Sequence, residues 1–188
     1  MAISHIVKKI RSELKEKNNI KEKMLANSRR ITQLSKESIF LVQSNKSIKA
    51  QKRLGTAKEL LKSTLQTLQF TPELRNNEAF YGATQEYAEA AILLNLEKTG
   101  EYPTPELIGT SSEAYILGLA DVVGELRRKA LESVKNGDID TAECSYQHMQ
   151  TIYRELTILN EHVFSILPTL RRKCDVARHL IELTGAKL

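Results

Sequence analysis

Apolar positions along this chain recur at intervals of three and four, with no sustained alternation of the strand type, so the pattern predicts helices throughout. Ile3, Val7, Ile10 and Leu14 form one stripe, and Met24, Ser28, Ile31 and Leu34 resume it beyond Asn18-Asn19. The first fifty residues therefore read as one long helix or two nearly continuous ones. A helix of that length needs a partner along it, either within the chain or from another subunit. A turn is expected around Gly55, followed by the amphipathic stretch Ala57–Phe70.

Thr71-Pro72-Glu73 has the form of a helix start, and Gly100 that of a stop. Tyr102-Pro103-Thr104-Pro105 leads into a short helical turn at Glu106–Gly109. Ser111 or Ser112 caps a helix reaching Lys135-Asn136-Gly137, and Asp140 with Glu143 has capping-box spacing for the next. Asp138 and Asp140 read as helix-start residues. Pro168 separates that helix from a last one ending near Thr184-Gly185. The expectation is an all-α domain of about seven helices spanning residues 1–188, with no internal repeat.

Composition agrees with the pattern. The 188 residues suffice for one core, Gly and Pro are few, and Trp is absent. No apolar run approaches the roughly 18 residues of a membrane helix, and the first residues lack a secretory signal pattern. Cys144 and Cys174 lack metal-type spacing and read as reduced core or interface residues. These features predict a soluble, cytoplasmic protein. His5, His148, His162 and His179 are scattered, without nucleophile–base or metal spacing, and read as structural.

Charge changes the picture. Residues 1–64 hold 16 Lys and Arg against 5 Asp and Glu, whereas residues 65–188 hold 12 against 18. A basic first third suits a polyanionic partner, although a solvated helix face would look the same.

Two segments put acids where acids do not belong. Gln85-Glu86-Tyr87-Ala88-Glu89-Ala90 continues into Ala91-Ile92-Leu93-Leu94, and Tyr115–Leu126 carries Asp121 and Glu125 among apolar residues. Both segments are apolar on nearly every side and should be buried, where unpaired carboxylates are costly. Glu86 and Glu89 are three apart and Asp121 and Glu125 four apart, so each pair projects from one face. If the two helices pack together, four carboxylates converge, and neither segment contains a basic residue to neutralise them. A hard divalent cation such as Mg²⁺ or Mn²⁺ relieves that repulsion with oxygen ligands. Gly118 and Gly124 would let a neighbouring helix or substrate come close. The same acids could instead hydrogen-bond within the core, pair with Arg127, Arg128 or Lys129, or face a wet crevice.

These residues also carry a resemblance. Arg30-Ile31-Thr32 with Ser35-Lys36 and Ile39-Phe40-Leu41, the Gln85–Ala90 segment, Leu117–Leu126, and Ser133-Val134 followed by Asn136–Asp140 resemble the translin family. The likeness is strongest to its catalytic branch, translin-associated factor X. It implies a seven-helix subunit in an eight-membered hollow barrel that encloses RNA. It further implies that Glu86, Glu89 and Asp121 hold Mg²⁺ or Mn²⁺ and cut single-stranded RNA, with Glu125 a fourth acid of the cluster. Since the acids are present in this one chain, a homo-octamer is the simpler expectation. In such a particle Lys23, Arg29, Arg30, Lys36, Lys98, Arg127, Arg128 and Lys129 are candidates for phosphate contacts, and Tyr81 and Tyr87 for base stacking, although a core role fits tyrosines there as well. Whether DNA also binds stays open. The competing expectations are a non-catalytic single-stranded RNA- or DNA-binding octamer, like translin itself, and a helical scaffold whose long first helix pairs with another protein.

Overall fold

The computed structural model describes residues 3–159 and 161–188. Among them are α1 (Ile3–Gln43), α2 (Ser47–Thr67), a 3-10 turn (Pro72–Asn76), α3 (Glu78–Thr99), α4 (Pro105–Ile108), α5 (Ser112–Lys135), α6 (Ile139–Ile158), α7 (Glu161–Ile166) and α8 (Pro168–Gly185). No strand occurs among the described residues, as the apolar period predicts. The expectation for His162 concerns a side chain outside the described residues.

The helix α1 runs unbroken through Asn18-Asn19 for 41 residues. Its burial begins at Met24 and follows Ser28, Ile31, Leu34, Ser35, Ser38, Ile39 and Val42, the face that meets α2 and α3. Small serines on that face allow close approach; two of them find carbonyl partners, while the buried Ser35 hydroxyl has none among the described residues. The Ser28 hydroxyl donates to the Met24 carbonyl at 2.8 Å, and Ser38 donates to the Ala50 carbonyl at 3.1 Å. Upstream, Ile3, Val7, Ile10 and Leu14 are exposed in the single chain.

The first turn lies at residues 44–46, not around Gly55. Asn45 takes a positive φ of 56°, a conformation that asparagine tolerates better than most residues. Gly55 is an ordinary position inside α2, whose buried stripe is Ala50, Leu54, Ala57, Leu61 and Thr64. Pro72 starts only the 3-10 turn, and α3 begins at Glu78, where the Asn77 side chain accepts from the Ala79 amide at 3.0 Å. Gly100, at φ 72°, stops α3 as expected.

Ser111 caps α5 by accepting from the Ala114 amide at 3.3 Å. The cap of α6 is Asp138, which accepts from Thr141 at 3.1 Å, two residues before the capping box read from sequence. The expected single helix before Pro168 is broken at Leu159, whose ψ of 125° is extended, so eight helices stand among the described residues where about seven were expected. A continuous hydrophobic core runs from Met24 of α1 to Ala177 of α8. The central pair is α3 against α5, with α1 and α2 packed on α3, and α6 and α8 on α5. None of the described helices is long and apolar enough to cross a membrane.

Candidate functional site

The site is set by how tightly α3 and α5 approach. A Cβ placed on Gly118 would stand 2.8 Å from the Glu89 amide nitrogen and 2.9 Å from the Gln85 carbonyl oxygen. Only glycine lets α5 lie against α3 here, and the contact falls at the acidic segment. Gly124 behaves otherwise: nothing lies within 4 Å of its missing Cβ, so it serves open space and no helix contact.

Each carboxylate has its own surroundings. Asp121 forms an ion pair with Lys173 of α8 through one oxygen, and its other oxygen accepts from the Gln85 side-chain amide at 2.6 Å. Glu86, half-buried, lies 3.6 Å from the Lys36 ammonium of α1. Glu125 accepts from Gln43 Nε2 at 3.1 Å and sits 3.7 Å from an Arg128 guanidinium nitrogen. The same Gln43 nitrogen donates to the Glu125 carbonyl at 2.8 Å, tying the end of α1 to α5.

Glu89 stands apart. It is 9 % exposed and has no hydrogen-bond or ion-pair partner among the described residues. Burial first, and then the negative charges of Asp121, Glu86 and Glu125, push its carboxyl up to about 8, with Lys173 opposing. The four acids therefore share one electrostatic site, with Glu89 as its buried centre. A cation bound among these carboxyls would remove the repulsive part of that shift.

Two openings flank the cluster. A groove of about 440 Å³ between α1 and α3 is lined by Arg29, Thr32, Gly82, Gln85 and Glu86. A crevice of about 400 Å³ between α5 and α8 is lined by Asp121, Gly124, Arg172, Lys173 and Val176. Among the basic residues expected from sequence, Lys36 reaches Glu86, Arg128 reaches Glu125, and Arg29 lines the groove. The others are spread elsewhere. Lys23 is exposed on α1, Arg30 donates to Gln33 at 2.9 Å, and Lys98 donates to Gln51 at 3.0 Å. Lys129 pairs with Glu97, and Arg127 buries an Nε that has no hydrogen-bond partner.

Tyr87 belongs to the core, its hydroxyl donating to the Ile108 carbonyl at 3.0 Å, while Tyr81 is half-buried. His148 packs edge-on against Tyr102 and shares a 2.9 Å hydrogen bond with its hydroxyl, a structural role. Both cysteines are free; Cys174 is buried, but Cys144 is exposed.

The residues missing from the sequence reading are Lys173, Gln85 and Gln43 in their contacts to the acids. Lys173 is 52 positions from Asp121 and Gln43 is 82 from Glu125, so no local spacing joins them. For Gln85 a signal existed: it lies one position before Glu86 on the face that turns to α5.

The donors suit a hard cation in kind, since all four acids offer oxygen and Glu89 lacks any counter-charge of its own. As the side chains stand, no three His, Cys, Asp or Glu among the described residues form a ligand set. At Asp121 one carboxylate oxygen is paired with the Lys173 ammonium instead.

Comparison with known proteins assigns the chain to a family. The translin family profile matches residues 19–182. The chain is 33 % identical over 178 residues to an uncharacterized protein of Methanocaldococcus jannaschii, covering 91 % of this chain and 76 % of that one. It is 26 % identical over 228 residues to translin-associated protein X of Mus musculus, covering 96 % and 79 %. The crystal structure of AfC3PO superposes with a TM-score of 0.83 at 32 % identity over 96 % of this chain and 94 % of that one. The AfC3PO complex with duplex RNA gives 0.84 at 31 %, over 96 % and 93 %. Apo-NeC3PO shares the fold, with a TM-score of 0.86 at 24 % identity over 100 % and 96 %. With the family profile spanning most of its length, the chain belongs to the translin family.

Proposed function

We propose that this protein binds single-stranded RNA and cuts it internally by hydrolysis, with Glu86, Glu89 and Asp121 holding Mg²⁺ or Mn²⁺ and Glu125 completing the acidic set. The carrying observation is Glu89, a carboxyl without a partner that burial, and then three neighbouring acids, push up to about 8. When bound, such a cation makes water more acidic and offsets charge on the scissile phosphate. The chain's own residues do the rest. Glu89 would supply the buried oxygen ligand, Gln85 fixes the orientation of Asp121, and Gln43 fixes that of Glu125. Attack by water needs no neighbouring 2′-hydroxyl, so the products carry 5′-phosphate and 3′-hydroxyl ends.

RNA as partner is supported by the related AfC3PO, which has been solved with duplex RNA. The choice of single strands rests on the family resemblance, as does assembly into a homo-octameric barrel. The apolar stripe that α1 leaves exposed is consistent with such assembly.

A second reading keeps a specific observation behind it. Asp121 and Glu86 already have lysine partners, and no three donors converge among the described residues. That suits a non-catalytic RNA-binding oligomer. Incubating the sized particle with labelled single-stranded RNA, with Mn²⁺ or chelator, separates the two. Cutting that requires Mn²⁺, and that is lost in Glu86→Ala and Asp121→Ala while RNA binding persists, supports the nuclease. Binding without cutting supports the second reading, and 2′,3′-cyclic phosphate ends would exclude attack by water.

A further inference from the structure

We propose that Lys173 is a built-in counter-cation of the acidic site, occupying Asp121 until a divalent ion exchanges with it. This rests on the cation-binding reading above and adds a residue of α8 to it.

The four acids are not neutralised alike. Lys36 and Arg128 are exposed residues at 3.6 and 3.7 Å from their acids, the kind of surface pair that contributes little and is readily given up. Lys173 is different: its side chain is only 21 % exposed, and its ammonium touches the Asp121 carboxylate. A direct pair between two partly buried side chains is given up less readily than an exposed one. With Gln85 on the second oxygen, Asp121 is held in place, and a metal ion would reach it in competition with the ammonium. Meanwhile Glu89 has no partner at all. Lys173 pairs with Asp121 and only partly offsets the charge around Glu89, whereas a divalent ion held by both acids would offset the two together.

Exchange also needs somewhere for the displaced ammonium to go. The crevice between α5 and α8 supplies it, with Lys173, Gly124 and Val176 on its walls and the position of a Cβ on Gly124 open.

Two measurements on the intact oligomer test this. In the wild-type protein, acylation of lysines by an amine-reactive ester is followed by mass spectrometry. Lys173 should react slowly in chelator and several times faster in saturating Mn²⁺, while exposed Lys52 should be unaffected. Mn²⁺ affinity, read by electron paramagnetic resonance, should tighten about tenfold in Lys173→Met, because a neighbouring positive charge is gone. Lys173→Arg, which keeps the charge, should bind Mn²⁺ no more tightly than the wild type. If wild-type protein binds Mn²⁺ but Lys173→Met binds it equally or less tightly, the exchange is overturned and the cation site survives. If the wild type binds no Mn²⁺, both readings fall together. Should Lys173→Met not fold, Lys173 reactivity in the wild type decides: no increase with bound Mn²⁺ overturns the exchange.

Discussion

Gly118 of α5 lies against Glu89 of α3 so closely that a single methyl group at position 118 would stand 2.8 Å from the Glu89 amide nitrogen. The other near neighbours, Ala88 Cβ and the Gln85 carbonyl, are each 2.9 Å away and belong to the same turn of α3. Two of the three contacts are backbone atoms, so the clash has no flexible side chain to absorb it. Gly118→Ala should therefore force the helices apart. Overpacking typically costs about 1–3 kcal/mol, against the roughly 1 kcal/mol that Ala gains over Gly in a helix. Gly124→Ala is the internal control: it meets nothing within 4 Å and should stabilise by up to about 1 kcal/mol. Denaturant midpoints of the two variants should move in opposite directions. If both move upward, the helix contact at Gly118 is looser than described.

The buried Glu89 makes stability depend on pH. Its carboxyl is raised from 4.5 to about 8 by burial and then by Asp121, Glu86 and Glu125. Between those values the unfolded chain has released this proton and the folded protein keeps it, so stability falls as pH rises from about 4.5 to about 8 and levels off above. The loss is on the order of a few kcal/mol for a shift of this size. Glu89→Gln cannot ionise and should flatten the profile, making the variant more stable than wild type at pH 8–9 in chelator. Adding Mn²⁺ at that pH should raise the wild-type melting temperature and leave Glu89→Gln far less affected. Parallel pH profiles for the two proteins would remove Glu89 from the centre of the site.

How much of this was legible depended on distance along the chain. Ser111, Gly100 and Gly109 are read locally because caps and stops are chemistry within one helical turn. The pairing of Glu86 with Glu89, and of Asp121 with Glu125, follows from helical period. Of the four acids expected to be buried, however, only Glu89 is, while Glu86, Asp121 and Glu125 are half-buried beside their basic partners. Gly55 misled because a glycine inside a helix and one in a turn look alike in sequence, while the actual turn used Asn45. Gly118 and Gly124 looked equivalent for the same reason; only the packed structure shows that one contacts α3 and the other open space. Lys173 was beyond reach, since Arg171, Arg172, Lys173 and Arg178 form a run in which only tertiary packing selects the one that meets Asp121.

The exposed stripe on α1 yields a prediction about assembly. Ile3, Ile6, Val7, Ile10 and Leu14 are all exposed in the chain alone, whereas the same helix is buried from Met24 onward. An apolar stripe of this length suits a second copy of the chain better than water. Val7→Glu combined with Leu14→Glu should lower the particle mass measured by light scattering and leave helix content unchanged. An unaltered mass would assign the contacts between copies to other surfaces.

Lys36 offers the sharpest separation of RNA binding from folding. It comes from the basic first third of the chain, is 64 % exposed on its side chain, and lies 3.6 Å from Glu86 at the edge of the groove between α1 and α3. An exposed pair at that distance contributes under about 1 kcal/mol, so Lys36→Ala should melt almost as the wild type does. If the groove carries the RNA backbone, removing one phosphate contact should weaken binding alike across sequences and reduce the slope of log affinity against log salt by about 1. Filter binding over a range of salt concentrations measures that slope. A lost affinity with an unchanged slope would mean that Lys36 acts through Glu86 and touches no phosphate. An unchanged affinity would direct the RNA instead to the crevice where Arg172 and Lys173 stand beside Asp121.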